Sequence, residues 1–290
     1  MSIALQVALV MVTILVVLLV IGAPIGVAIG MSSAVSMICM IPADVSFATS
    51  AQRIFAGSNS FSLIAIPFFI LAGNIMNNGG IATRLVNCAK VISGRMPGAL
   101  AQSNVVANML FGAISGSGAA AAAAMGGTIG PLEEKEGYDK NYSTAVNVAS
   151  APVGMLIPPS NTMIVYSSVA GSVSIAALFM AGYIPGLLWG GAVMILAGIM
   201  AKKRGYQAEQ RVPVKVALKT FWQAIPSLLL IVIVIGGILG GIFTATEGSA
   251  IAVVYATVLS LIYKAFKIKD IPRIVLEAAK TTGIITFMIG

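Results

Sequence analysis

Long runs without a single charged residue limit what this chain can fold into more than any other feature. Four of them cover Met1–Ala43, Ile54–Thr83, Met96–Leu132 and Asn141–Ala201. A helix crosses the bilayer core with about 20 apolar residues, so each run is long enough for at least one passage. Only 9% of all residues are charged and 58% are hydrophobic, whereas soluble domains carry about 25% charged residues. The sequence excludes a soluble enzyme or binding module and predicts an all-α polytopic membrane protein.

Glycine, proline and asparagine divide the apolar runs into separate helices. Six transmembrane helices are predicted, at about Ile3–Ile21, Ile25–Ile41, Phe61–Met76, Ile175–Met200, Ile225–Ile242 and Gly248–Tyr263. Other stretches mix basic or polar residues with apolar ones, which predicts helices lying in the membrane interface: residues 45–60, 81–95, 205–223 and 264–280. Residues 284–290 begin a further apolar element.

Residues 97–130 are predicted to form a re-entrant hairpin. One straight helix of this length would be about 50 Å long, and two complete passages need about 40 residues. The Ser115-Gly116-Ser117-Gly118 stretch interrupts the helical pattern. Two short helices that meet at this tip enter and leave the membrane on the same side. Non-helical backbone at that depth must be surrounded by protein or by a watery cavity.

Residues 142–170 are predicted to form a broken membrane helix. Pro152, Gly154, Pro158 and Pro159 fall within eight residues. Such a run cannot stay helical, because each proline lacks an amide donor and clashes with the preceding turn. A Gly/Ser hairpin tip beside a helix broken by proline is typical of secondary transporters.

The two interruptions together predict a site for a sodium ion. Ser115 and Ser117 offer hydroxyl groups at the hairpin tip, and the unwound helix offers the main-chain carbonyls of Gly154, Ile157 and Pro159. Neutral oxygens of this kind replace the hydration shell of Na⁺, while the N-termini of half-helices attract a carboxylate.

A second set of residues is predicted to lie near the substrate. Gly116 and Gly118 let the backbone turn and approach closely, and the broken helix adds the side chains of Ser160, Asn161 and Thr162. A purely structural role stays open for each interruption, since small residues allow close helix packing and a proline can simply kink a helix. Their occurrence together, one short loop apart, favours the binding site.

The remaining reactive residues argue against other kinds of chemistry. The nearest acid to the pair, Glu247, is explained by capping of a helix that begins at Thr244 or Thr246, so sodium coupling is favoured over a proton relay. The sequence has no His, and Cys39 and Cys88 are expected to be small buried hydrophobic residues. We therefore expect no enzyme activity and no organic cofactor. The basic residues lie in short loops, which argues against nucleic-acid binding.

The distribution of Lys and Arg predicts the orientation in the membrane. Residues 202–219 hold six basic residues and residues 264–280 hold five, on either side of two predicted spans. Both stretches are therefore placed in the cytoplasm. Counting back along the chain places both ends of the hairpin in the cytoplasm, residues 45–60 outside and the N-terminus in the periplasm.

Four motifs resemble one family of membrane proteins. Residues Pro67–Asn74, the tip Gly112–Ala119, the broken helix Ala151–Asn161 and the turn Phe243–Gly248 occur in the order seen in the large membrane subunit of tripartite ATP-independent periplasmic (TRAP) transporters. The resemblance implies an elevator-type importer with inverted repeats in the bacterial inner membrane. It implies a small four-helix membrane subunit and a periplasmic substrate-binding protein as partners. Sodium gradients would drive uptake of organic acids such as C4-dicarboxylates or sialic acid.

The family pattern also predicts a domain organisation. Residues 1–96 would form the first scaffold helices and an amphipathic arm, residues 97–172 the hairpin and broken helix of the transport domain, residues 173–223 a scaffold span with a basic connector, and residues 224–290 the start of the second inverted repeat. The second hairpin, broken helix and sodium site would then lie beyond Gly290. The alternative is a truncated subunit that binds its small partner and transports nothing.

Overall fold

A computed structural model describes residues 3–171, 173–206 and 213–289 of the chain. All regular structure in these residues is helical, which confirms the predicted all-α class. Short 3-10 turns precede the fourth and the last α-helix. The α-helices are α1 (Ile3–Ile21), α2 (Ile25–Ile38), α3 (Ala43–Ser58), α4 (Ala65–Asn78), α5 (Ile81–Ser93), α6 (Ala99–Ser115), α7 (Gly118–Thr128), α8 (Gly130–Lys135), α9 (Lys140–Ser150), α10 (Val153–Leu156), α11 (Asn161–Ala170), α12 (Ile175–Lys203), α13 (Val214–Leu239), α14 (Ala245–Ile262) and α15 (Ile271–Ile289).

One compact unit comprises residues 1–63 and 279–290. In its described part, α1 packs along α2 and α2 packs along α3. The chain turns between the first two helices at Gly22, whose φ of 90° favours glycine. The buried Ser46 hydroxyl ties α3 to α2 by donating to the Ala34 carbonyl at 2.7 Å. Helix α1 is apolar on all sides and has no buried residue, as expected of a helix that meets lipid.

The second compact unit comprises residues 64–278, with α6 at its centre. Helix α6 packs against α4, α5, α7, α9, α10 and α12, while α14 packs along α4 and α13 along α5. Both apolar and polar side chains of α6 are buried, including Phe111, Gln102, Asn104 and Asn108. A hairpin arm enclosed in this way is consistent with the predicted re-entrant hairpin, whose arms are α6 and α7.

Several helices are long and apolar enough to cross a membrane. Among the described residues these are α1, α12, residues 215–239 of α13, and α14. Residues 140–156 and 161–170 form a further candidate as one span bent by 51°, which agrees with the predicted broken helix. Helices α2 and α4 have only 14 residues each, about 21 Å of helix. The prediction of a polytopic membrane protein is therefore supported.

The structure corrects two predicted boundaries. Residues 214–223 were predicted as an interfacial segment separate from the next span, but they continue into it as the single helix α13, with Pro226 inside. The Pro226 carbonyl accepts a hydrogen bond from the Tyr255 hydroxyl of α14 at 2.8 Å. Similarly, the end of the 264–280 segment and the apolar residues after it form the single helix α15. Residues 207–212 of the predicted basic connector, and the predicted boundary at 172, lie outside the described residues.

Two predictions about single residues have clear outcomes. Thr244 caps α14 and forms a complete capping box with Glu247, whose carboxylate accepts from the Thr244 amide at 2.7 Å, so the capping interpretation is confirmed. Cys88 is buried, as predicted, but Cys39 is exposed. Cys39 is the C-cap of α2 and lies three residues beyond Ser36, the last buried residue of that helix.

Candidate functional site

The hairpin tip is built by two residues between α6 and α7. Gly116 has a φ of 62°, a conformation that favours glycine and ends α6. Ser117 is extended and caps α7, its hydroxyl accepting from the Ala120 amide at 3.3 Å. The Ser115 hydroxyl lies inside the turn and donates to the Ser117 carbonyl at 3.3 Å. Both tip serines therefore present hydroxyl oxygens beside unwound backbone.

The break in the second helix leaves carbonyl groups without their usual donors. The Gly154 carbonyl has no helical partner because the residue four positions later, Pro158, lacks an N–H. The Met155 carbonyl loses Pro159 in the same way, and it accepts instead from the Ser160 hydroxyl at 2.5 Å. Ser160 also caps α11, accepting from the Met163 amide at 3.4 Å. The extended segment between α10 and α11 is thus held by one buried serine.

Three pairs of residues bring the tip and the break into direct contact. A Cβ atom built on Gly154 would lie 2.3 Å from the Cα of Gly112, and one built on Gly112 would lie 2.5 Å from the Cα of Gly154. One built on Gly116 would lie 2.9 Å from the backbone nitrogen of Asn161. The side-chain amide of Asn161 donates to the Ser115 carbonyl at 3.4 Å. We call this contact region, Gly112–Gly118 with Gly154–Asn161, the junction.

Neighbouring helices fix the position of the junction. A Cβ atom on Gly73 of α4 would lie 3.0 Å from the Cα of Ser115, so α4 passes directly against the tip. On the other side α12 presents glycines to α10. A Cβ on Gly182 would lie 2.3 Å from the Leu156 carbonyl oxygen, and one on Gly186 would lie 2.8 Å from Ile157. Small residues therefore let α4 and α12 approach the unwound backbone closely.

The junction combines two kinds of electrostatic environment. Helices α7 and α11 both begin here and direct the positive ends of their dipoles toward the junction. The C-termini of α6 and α10 meet here too, and they direct carbonyl oxygens inward. An arrangement of this type has partners for an anion on one side and for a small cation on the other.

A monovalent cation fits the donor set of the junction. The Asn161 side-chain oxygen is buried and has no hydrogen-bond partner, which leaves it open to a ligand. Ser115 adds a buried hydroxyl, and the Gly154 carbonyl lacks a helical donor. All these oxygens are neutral, and no group of three or more His, Cys, Asp or Glu that could hold a metal ion occurs among the described residues. Neutral oxygens match the weak charge demand of Na⁺, which would sit among Ser115, Ser117, Gly154, Ile157 and Pro159.

Most of the predicted site residues lie together at the junction. Ser115, Gly116, Gly118, Gly154, Pro159, Ser160 and Asn161 are buried there, while Ser117 and Ile157 are half-buried. Thr162 differs, because it is exposed and lines a mainly apolar cavity of about 290 Å³ between the broken helix and α12, together with Tyr166 and Trp189. Gly73 and Gly112 were not predicted as site residues, although Gly73 packs against Ser115 and Gly112 packs against Gly154. Both lie inside the quoted motifs, where the glycine itself was the available signal.

A buried network of polar side chains connects the helices next to the junction. The Asn108 amide nitrogen lies 3.0 Å from the side-chain oxygens of Asn104 and Asn147 and 2.8 Å from the Ser150 hydroxyl. The side-chain amide of Asn147 in turn donates to the Ala122 carbonyl at 2.9 Å. These bonds link α6, α7 and α9, as expected for polar side chains that hold membrane helices together.

Comparison with known proteins identifies the family. The family model for the DctM component of tripartite ATP-independent periplasmic transporters matches residues 12–290. An uncharacterized protein of Salmonella typhimurium, YgiK, is 50% identical over 259 residues, which are 89% of this chain and 60% of YgiK. The C4-dicarboxylate TRAP transporter large permease protein DctM of Rhodobacter capsulatus is 37% identical over 255 residues, or 83% of this chain and 58% of that protein.

A third relative carries a different substrate name. The sialic acid TRAP transporter large permease protein SiaM of Vibrio cholerae is 38% identical over 245 residues, which are 83% of this chain and 56% of SiaM. The chain therefore spans about 60% or less of the length of these curated relatives. The predicted resemblance is confirmed: the chain belongs to the DctM family of large membrane components of TRAP transporters.

Proposed function

We propose that this chain forms part of a sodium-coupled permease that imports an organic acid across the bacterial inner membrane. The observation that supports this most directly is the junction, where the unpartnered Asn161 side-chain oxygen, the unwound backbone and two helix N-termini lie together. The oxygens would bind Na⁺, and the N-termini would attract the carboxylate of the substrate. Relatives named for C4-dicarboxylates and for sialic acid are both transporters of carboxylates.

The hairpin and broken helix would move together as the transport element of an elevator mechanism. The close backbone contact between Gly112 and Gly154 favours this, because it joins both elements into one rigid piece. A small four-helix membrane subunit and a periplasmic binding protein would be the partners, with the binding protein delivering the substrate. The second inverted repeat would contribute the other half of the substrate site and a second sodium site.

Uptake by the reconstituted complex tests this function. Proteoliposomes containing the complete transporter, its small subunit and its binding protein are expected to accumulate labelled organic acid only with an inward sodium gradient. The same gradient of choline or potassium serves as the control, since only the coupling ion differs. Equal uptake in all gradients would contradict sodium coupling. Sodium binding without any uptake would favour the alternative of a subunit that assembles but does not transport.

The proposed orientation is tested with the two native cysteines. Cys39 is exposed at the end of α2 and is placed on the periplasmic side, whereas Cys88 is buried in α5. A membrane-impermeant maleimide added to spheroplasts is expected to label Cys39 of the assembled protein and to spare Cys88. The Cys39→Ser variant is the matched control and should lose the label. Labelling of Cys39 only after the membrane is opened would reverse the proposed orientation.

A further inference from the structure

The base of the hairpin, away from its tip, holds a buried carboxyl group that the sodium mechanism does not use. Glu133 lies on α8, the short helix that continues the second hairpin arm. Only 1% of its surface is exposed. Neither of its carboxyl oxygens has a hydrogen-bond or ion-pair partner among the described residues. An ionised carboxylate in such a place is strongly disfavoured, so the group needs a neutralising ligand.

The surroundings of Glu133 offer a cavity and no fixed cation. The cavity has a volume of about 330 Å³ and is lined by Glu133, Asn104, Ser143, Asn147 and Lys140 among others. It is bounded by the hairpin and by α9, the first part of the broken helix. The Ser143 hydroxyl is buried and has no hydrogen-bond partner of its own. Water in this cavity would therefore find polar groups on several sides.

The charged and titratable groups around this cavity leave Glu133 without a counter-ion. Helices α6 and α7 carry no charged residue. On α8 the neighbours are Glu134, of the same sign, and Lys135, both exposed. On α9 the exposed Lys140 lines the same cavity but forms no ion pair with Glu133. Lys140 therefore stays in solvent, where hydration stabilises its charge.

Arg204, the C-cap of α12, pairs with a different carboxylate. Arg204 forms an ion pair with Asp139 at 3.0 Å, and Tyr206, which stacks on Tyr138 at 4.3 Å, accepts the Asp139 amide at 2.8 Å. The Tyr142 amide and then Arg204 hold the pKa of Asp139 below its usual value. The Tyr142 hydroxyl donates to the Ala197 carbonyl at 2.8 Å. This cluster satisfies its own charges and leaves none for Glu133.

We propose that Glu133 is a proton-binding site at the base of the hairpin, protonated in this conformation and able to release its proton into the adjacent cavity. On release the O–H bond of the carboxylic acid breaks, its electron pair stays on the carboxylate oxygen, and the proton passes to a water molecule in the cavity. Burial raises the pKa of Glu133 to about 7. The site thus binds and releases its proton near neutral pH. Glu133 is not one of the residues proposed to bind sodium at the tip.

Proton binding by Glu133 predicts that the stability of the folded protein depends on pH in a specific way. The pKa of Glu133 rises from 4.5 in the unfolded chain to about 7 in the folded protein. Between these values the folded protein binds more protons than the unfolded chain, so its stability falls as the pH rises. The Tm of the purified protein in detergent is expected to fall between about pH 5 and pH 8, and the Glu133→Gln variant is expected to lose this part of the fall. Glu134→Gln, one residue away and exposed, is the matched control and should behave like the parent.

Infrared spectroscopy tests the proton directly and does not depend on the variant folding well. The parent protein at about pH 6 should show the C=O band of a buried protonated carboxyl group, and this band should disappear as the pH is raised above about 8. It should be absent in Glu133→Gln and present in Glu134→Gln.

Absence of the band in the parent, or identical pH profiles of Tm in the parent and Glu133→Gln, would overturn the proposal. So would stabilisation by Na⁺ or K⁺ at high pH that Glu133→Gln abolishes, because the ligand would then be a metal cation.

Discussion

Replacing Gly154 with alanine is expected to separate the hairpin tip from the broken helix and to destabilise the whole second unit. The added Cβ atom would lie 2.3 Å from the Cα of Gly112 and 2.9 Å from the Asn108 carbonyl oxygen. Both neighbours are backbone atoms, which cannot rotate away as a flexible side chain can. Overpacking a well-packed interior costs about 1–3 kcal/mol and occasionally more. Because two main chains collide here, we expect a cost at the upper end of that range.

The measurement is thermal unfolding of the purified protein, with Gly127→Ala as the matched control. Gly127 lies in α7 of the same hairpin, is exposed, and has no atom within 4 Å of its built Cβ. Alanine there should leave the stability unchanged or raise it by about 0.5–1 kcal/mol, since alanine favours the helix. A Gly154→Ala protein as stable as Gly127→Ala would show that the two backbones do not meet as described.

The hairpin and the broken helix were predictable because their causes are local. Prolines 158 and 159 remove amide donors wherever the chain is placed, and Gly116 favours the turn that ends α6. Both interruptions are therefore visible in the sequence. The capping box at Thr244 and Glu247 is equally local, since its two residues lie three positions apart.

Contacts between distant segments were not predictable in the same way. The approach of Gly112 to Gly154 depends on how α6 packs against α10, and the sequence shows only two glycines among many. The burial of Glu133 was also missed, because charged residues surround it in the sequence and suggest an exposed loop. The structure instead turns Glu133 toward the hairpin while Glu134 remains exposed. The position of Thr162 on the apolar side of α11 likewise depends on the rotation of a helix that follows an irregular segment.

The proposed sodium site makes the second large prediction, which concerns stabilisation by the ion. A ligand that binds only the folded protein raises its stability by about 2.7 kcal/mol at 100 times its dissociation constant. We expect the Tm of the parent protein to rise with sodium chloride relative to choline chloride. Ser115→Ala should lose about half of this rise, because the variant removes one buried hydroxyl ligand while leaving the backbone turn at Gly116 in place.

The loss should be specific to sodium rather than a general weakening of the fold. The Ser115 hydroxyl makes only weak local contacts, at 3.3 and 3.4 Å to Ser117, so without sodium the variant should be nearly as stable as the parent. Ser50→Ala is the matched control, because that hydroxyl also makes only a local bond, to the Ser46 carbonyl in α3. Removing one ligand should weaken sodium binding by about tenfold, equivalent to about 1.4 kcal/mol. The control Ser50→Ala should keep the sodium response of the parent. If Ser115→Ala also kept it, the ion would have to bind elsewhere in the chain, and the unpartnered Asn161 side-chain oxygen would be left without an explanation.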